Sequence, residues 1–225
     1  MQPNPVPVRE QRLVHMRLIL MRHAKAMQRD EHMYGDDSKR PLSKQGVKEH
    51  KRVSRMIRDM GISFDHILTS PFDRASETAR ITRKAYGMEE KPIECNELAD
   101  DFTVDNLLKK LASFKDDETI LLVGHEPYMS TFAASLLWPG HPMNIDFKKS
   151  GVMCISFSGR PEKGQGMLEY FLRPRLLKTL RRNRRGKWKE RPYIEGGIMG
   201  PQKAAKKEKS DKKEEKKEKD EEDDD

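Results

Sequence analysis

Between Arg17 and Arg173 short apolar runs alternate with amphipathic segments, and this alternation constrains the fold more than any other feature. Thr119-Ile120-Leu121-Leu122-Val123 is the clearest run, and Leu18-Ile19-Leu20-Met21 is another. Continuous apolar runs of this length, without period-two alternation, are expected of strands buried on both faces. His66 to Thr69 reads as a further strand, Pro92 to Leu98 as a weaker one, and 152–157 and 167–172 as two closing strands around a glycine-rich turn.

The intervening segments carry helix signals. Leu42 to Met60 has Ser43 as N-cap and stops at Gly61. Pro71 opens a helix that runs to Tyr86 and stops at Gly87. Val104 to Phe114 and Glu126 to Trp138 complete the set. Strands alternating with helices of this length predict an α/β fold: a three-layer sandwich with a mostly parallel central sheet and helices on both faces.

The ends of the chain read differently. Of 225 residues, 36% are charged and 35% hydrophobic, too polar for one compact globule. Residues 173–191 hold ten Lys/Arg against one acid, and residues 202–225 hold nine lysines against eleven acids. The remainder is nearly neutral, so the formal net charge of +8 belongs to one short block. The expected organisation is a loose leader over 1–16, a domain over 17–172, a basic extension over 173–201 and a disordered charged tail over 202–225. No run reaches the ~18 apolar residues of a membrane span, and the leader has no apolar core of a secretion signal. Cys95 and Cys154 lie far apart in apolar runs, read as free buried thiols in a reducing, cytoplasmic setting.

In open α/β sheets, ligands bind beyond the carboxyl ends of the strands. Here Arg22-His23 follows the first strand, Ser70 to Arg74 the second, and Gly124-His125-Glu126 the fourth. Two arginines and two histidines therefore meet at one edge. Arginine offers a planar, permanently charged fork for phosphate oxygens. A neutral imidazole can attack phosphorus and split hydrolysis into two easier steps. A second histidine can donate to oxygens that gain charge. Such phosphoryl transfer needs no metal or other cofactor.

With these residues in view, the sequence resembles the histidine phosphatase superfamily, whose fold is phosphoglycerate-mutase-like. The resemblance rests on Met21-Arg22-His23-Ala24, on Ser70-Pro71-Phe72-Asp73-Arg74-Ala75-Ser76-Glu77-Thr78 and on Gly124-His125. Arg40-Pro41-Leu42-Ser43-Lys44-Gln45-Gly46 makes it most similar to the short SixA-type phosphohistidine phosphatases. The resemblance implies that His23 is the nucleophile, that Arg22 and Arg74 hold the phosphoryl group, that His125 completes the pocket, and that Arg40 stands near the rim. It leaves the general acid open between Glu126, directly after the second histidine, and Glu97, after the third strand.

The implied substrate is protein phosphohistidine, with a small phosphomonoester such as a sugar phosphate as the alternative. The extension motivates a reading of a different class. Leu176, Leu177 and Leu180 followed by Arg181, Arg182, Arg184 and Arg185 suggest a short basic helix, and Trp188 and Tyr193 offer stacking surfaces. Such a segment suits nucleic acid or an acidic surface; otherwise its leucines dock on the domain and its arginines stay solvated.

Overall fold

The structure, a computed structural model, describes residues 15–30, 34–141, 143–179, 181–182 and 188–189. The charged tail, Tyr193 and nearly all of the leader lie outside the described residues, as does most of the basic extension. The chain divides after Lys178 into two units.

In the first unit, strands β1 (Met16–Arg22), β2 (His66–Thr69), β3 (Ile93–Glu94), β4 (Thr119–Gly124), β5 (Val152–Phe157) and β6 (Met167–Leu172) form one sheet in the order β3-β2-β4-β1-β5-β6. The pairs β2/β3, β2/β4 and β1/β4 are parallel, whereas β5 runs antiparallel to both β1 and β6. The sheet is thus mostly parallel, with an antiparallel closing edge.

Residue alternation along the central strands generates the layers. Leu18 and Leu20 of β1, Ile120 and Leu122 of β4, and Met153 and Ile155 of β5 pack on one face. They meet Leu107 and Leu111 of α3 (Val104–Leu111) and Met129, Phe132 and Leu136 of α4 (Tyr128–Leu137). Ile19, Met21, Leu121, Val123 and Cys154 point the other way. They meet Val53 and Ile57 of α1 (Lys44–Asp59) and Ala75 and Ala79 of α2 (Asp73–Tyr86). Each of these strand side chains is essentially buried, which contributes about 1.5–3 kcal/mol per large aliphatic residue.

The local signals hold where they are strongest. Ser43 caps α1, its hydroxyl accepting from Gly46 N–H, and Gly87 closes α2 in the left-handed conformation with φ 68°. Gly46 also explains its place in the Arg-Pro-Leu-Ser motif, since a Cβ there would overlap the Lys25 carbonyl. Elements with weaker signals come out shorter. The third strand keeps only two residues before a 3-10 turn at Asn96–Leu98, whose Leu98 is buried in the core. The helix predicted from Glu126 begins at Tyr128 after Pro127, and the one predicted to Phe114 ends at Leu111. Cys95 and Cys154 are free and buried.

Helix α5 (Pro174–Thr179) puts Leu177 into the core layer shared with α1 and α2, while Leu176 is exposed. In the second unit, strands β7 (Arg181–Arg182) and β8 (Trp188–Lys189) pair antiparallel. Among the described residues the predicted basic helix ends at Thr179, with Arg181 and Arg182 in a strand, while Leu180, Arg184 and Arg185 lie outside them. Continuation of the helix would set Lys178 over Arg182 and Arg181 over Arg185, and like charges four residues apart disfavour a helix. No helix among the described residues is long and apolar enough to cross a membrane.

Candidate active site

Strand register assembles the site. Arg22 pairs with Gly124 and Thr69 with Val123 across the parallel ladders. The three adjacent strands β2, β4 and β1 therefore end level, and the next residues, Ser70, His125 and His23, emerge together at the carboxyl edge. The ladder continues one step further, with His23 N–H donating to Gly124 O at 2.9 Å. The His23 and His125 rings lie 5.1 Å apart, centroid to centroid, and both side chains are buried.

Hydrogen bonds tie each ring to its neighbours. His23 Nδ1 lies 2.7 Å from Ala24 O. A carbonyl oxygen only accepts, so the proton is on Nδ1 and Nε2 carries a free lone pair. His125 Nε2 lies 2.8 Å from Ser70 Oγ, and that oxygen already accepts from Phe72 N–H at 3.3 Å. With the Ser70 hydroxyl as donor the ring proton sits on Nδ1, and with Nε2–H as donor it sits on Nε2. Nδ1 of His125 is buried without a protein partner.

The arginines close around the pair. Arg22 donates from Nη1 to Phe147 O at 2.8 Å. Arg74, on the first turn of α2, donates from Nη1 to Asp37 O at 2.7 Å and pairs with the Asp37 carboxylate at 3.2 Å. Its guanidinium carbon stands 5.0 Å from the centre of the Phe72 ring, and Phe72 packs against His125 at 5.0 Å. Three of the seven buried, unpartnered polar side-chain atoms among the described residues are Arg22 Nε, Arg74 Nε and His125 Nδ1. All three belong to this one site, and the two arginine nitrogens are donors.

Burial first, and then the charge of His125, push His23 down from the ordinary imidazole value to about 2. Burial, followed by the Arg74 charge, pushes His125 down to about 3. Both rings are neutral at physiological pH. A positively lined pocket with a deprotonated ring nitrogen can bind a tetrahedral oxyanion and offer it a nucleophile. Among the described residues no group of three or more His, Cys, Asp and Glu could hold a metal ion.

The remaining sequence candidates separate. Arg40 sits beside the arginine cluster, its Nε 2.8 Å from Asp37 Oδ1 and its Nη1 donating to Met27 O. Glu126 accepts from Ser130 N–H at 3.2 Å and Ser130 Oγ–H at 2.7 Å, which caps the first turn of α4. Its charge still reaches Arg22. Glu97 accepts the Cys95 thiol proton at 3.2 Å and lines a groove with Asn106, Lys109 and Lys110 of α3. Burial of neighbouring Leu98 in the 3-10 turn aims Glu97 there, and no contact brings it to the histidines. Ser70 and Asp37 are site residues that sequence reasoning passed over. Ser70 was legible as part of the Ser-Pro motif, but Asp37 has no local signal.

A family model for the histidine phosphatase superfamily (branch 1) matches residues 18–103. An uncharacterized protein of Picosynechococcus sp. (strain ATCC 27264 / PCC 7002 / PR-6) is 32% identical over 142 residues, which covers 61% of this chain and 83% of that protein. The chain belongs to the histidine phosphatase superfamily. Membership makes it an enzyme of phosphatase type. Among solved structures, the protein histidine phosphatase SixA complexed with tungstate matches with a TM-score of 0.62 at 22% identity, covering 72% of this chain and 99% of that one. Phosphoglycerate mutase from Bacillus anthracis str. Sterne matches with a TM-score of 0.55 at 13% identity, covering 73% and 96%. At these identities the two likenesses speak for the fold: the histidine phosphatase domain here has the three-layer architecture of both.

Proposed function

We propose that the chain is a metal-independent phosphatase that hydrolyses protein phosphohistidine through a covalent phosphohistidine on His23. One observation carries the reading. Two buried N–H donors without protein acceptors, Arg22 Nε and Arg74 Nε, and the unpartnered Nδ1 of His125 belong to the same site as the His23 ring, whose Nε2 lone pair is free. A phosphoryl group supplies the acceptor oxygens these donors lack, and unpaired buried donors are costly enough that such a ligand binds favourably.

In the first step His23 Nε2 forms a bond to phosphorus and the substrate P–N bond breaks. The substrate imidazole, protonated on its other nitrogen, leaves as a neutral ring. Arg22, Arg74 and His125 hold the three oxygens as charge spreads over them. In the second step water attacks phosphorus, the P–Nε2 bond breaks, and inorganic phosphate leaves with His23 restored. A leaving imidazole demands less acid assistance than an alkoxide. This suits a site where Glu126, the carboxylate that follows the second histidine, is engaged with Ser130.

The same Glu126 carboxylate, close enough for its charge to act on Arg22, supports the second reading, a small-molecule phosphomonoesterase in which it protonates an alkoxide. The test is turnover of a phosphohistidine protein, a sugar phosphate and an aryl phosphate with chelator present. Wild type is expected to prefer phosphohistidine in kcat/KM, and His23→Ala to lose turnover on all three. Preference for the sugar phosphate would favour the second reading. Absence of His23-dependent turnover on every substrate would sink both.

A further inference from the structure

His50 is a histidine the chemistry above does not use. It lies on α1, entirely buried, at a position where the helix face otherwise carries Gly46, Val53, Ser54 and Ile57. An apolar residue would serve packing alone. Instead both ring nitrogens are bonded to groups on other elements.

The partners fix its tautomer. Nε2 lies 3.2 Å from Thr78 O, 2.9 Å from Thr82 Oγ1 and 3.3 Å from Ser54 Oγ. Thr78 O only accepts. Thr82 Oγ1 already donates to Thr78 O, and Ser54 Oγ already donates to His50 O. Every partner on that side thus presents an acceptor, so the proton is on Nε2. Nδ1, 3.1 Å from Ser150 Oγ, is a lone pair that accepts the Ser150 hydroxyl proton. Burial drives the ring pKa down to about 4, which keeps it in this neutral form.

Ser150 is the one non-glycine residue with positive φ among the described residues, at 60°. That conformation costs about 1–2 kcal/mol for an L-residue and persists only where its surroundings hold it. What it achieves is specific. Ser150 N–H points at Arg22 O, 3.0 Å away, and at His23 O, 3.3 Å away. The same short loop supplies Phe147 O to the Arg22 guanidinium and Gly151 O to Arg22 N–H. On the other side, the Thr78 hydroxyl accepts from Ala24 N–H at 3.0 Å and donates to Arg74 O at 2.6 Å. His50 therefore stands between two braces, one on Arg22 and His23 through Ser150, the other on Ala24 and Arg74 through the Thr78 turn.

We infer that His50 is a positioning residue: through its Nδ1 bond to Ser150 it holds the 147–151 loop in the conformation that aims Arg22 and His23 at the phosphoryl group. The inference rests on the phosphatase reading and extends it to a residue that never touches substrate. Misplacement by about 1 Å at such a site costs on the order of 100-fold in rate.

Two isosteric amides separate the roles of the two nitrogens. In His50→Asn the amide oxygen falls near the Nδ1 position and can still accept from Ser150. In His50→Gln the amide nitrogen falls near Nε2 and can still donate to Thr82. Each loses one arm, so a purely structural role predicts equal effects. Positioning through Ser150 predicts that His50→Asn keeps kcat within about threefold of wild type while His50→Gln falls at least about tenfold, at comparable melting temperatures. Ser150→Ala cuts the same arm from the other end and is expected to match His50→Gln, with no further loss in the double variant. Equal kcat for the Asn and Gln variants, or wild-type kcat in Ser150→Ala, would overturn the inference and leave the phosphatase reading standing. Wild type without His23-dependent turnover would overturn both.

Discussion

Asp37 Oδ2 lies 3.2 Å from Arg74 Nη2, while Oδ1 of the same carboxylate lies 2.8 Å from Arg40 Nε. One acidic group thus holds two cations, and the Arg40 hydrogen bond in turn holds the Asp37 carboxyl below the usual carboxylate range. The Arg74 side chain is only 7% exposed, so this is the closest compensation it has.

Asp37→Ala is therefore expected to loosen Arg74 and leave it beside Arg40 with no shared counter-charge. Charge-assisted bonds contribute about 1.5–3 kcal/mol, discounted here because Asp37 is one-third exposed. KM should rise about tenfold, with a smaller loss in kcat. Steady-state kinetics on an aryl phosphate checks this, and an unchanged KM would exclude the positioning role of Asp37.

Ser70→Ala removes the hydroxyl that engages His125 Nε2. The ring then loses the side-chain bond that holds it in place beside His23. The expected result is a fall in kcat of about tenfold with little change in fold stability, read by kinetics alongside thermal melting. A variant with wild-type kcat would show that His125 keeps its position without Ser70.

Glu126→Gln tests the acid. Its carboxylate caps α4 through Ser130, and loss of that charge near a helix N-terminus costs about 0.3–1 kcal/mol. Melting temperature should drop by a few degrees while phosphohistidine turnover stays within about twofold. Equal loss on phosphohistidine and alkyl phosphate would assign Glu126 to proton donation and count against the phosphohistidine reading.

Acid sensitivity follows from three buried histidines. His23 is held at about 2, His125 at about 3 and His50 at about 4, in each case first by burial. In the unfolded chain each titrates near 6.5. Below that value the unfolded state binds protons that the folded state refuses, so stability falls as pH falls from about 6.5 towards 4. Between pH 6.5 and 5.5 the loss is about 1 kcal/mol per histidine. Urea midpoints at pH 7.5, 6.5 and 5.5 should decline over the last step, and a flat profile would contradict neutral burial. Asp37 and Glu118, whose values are lowered, add stability that is present above the ordinary carboxylate range and is lost only as pH falls through it and below.

Much of the fold was legible because its signals are local. Leu18 to Met21 and Ile120 to Val123 are apolar on every residue, and only a strand covered on both faces buries them all. Ser43 and Gly87 marked helix ends through their own backbone chemistry. Glu97 shows the limit: its place after a strand suggested the site, but two residues of strand and a 3-10 turn carried it to α3.

By itself the sequence determined the layers, the three strand ends and the residue types delivered there, Arg22-His23, Ser70 to Arg74 and Gly124-His125. Those follow from hydrophobic period and short-range motif spacing. Only the tertiary structure decided that His23 keeps Nε2 free, that Ser70 meets His125, that Asp37 compensates Arg74, and that His50 reaches Ser150. Each of these is a contact between residues 37 to 100 positions apart, apart from the bond of His23 to its neighbour's carbonyl. A hydrogen bond depends on distance in space, and that distance exists only once the sheet has brought the ends of β1, β2 and β4 level.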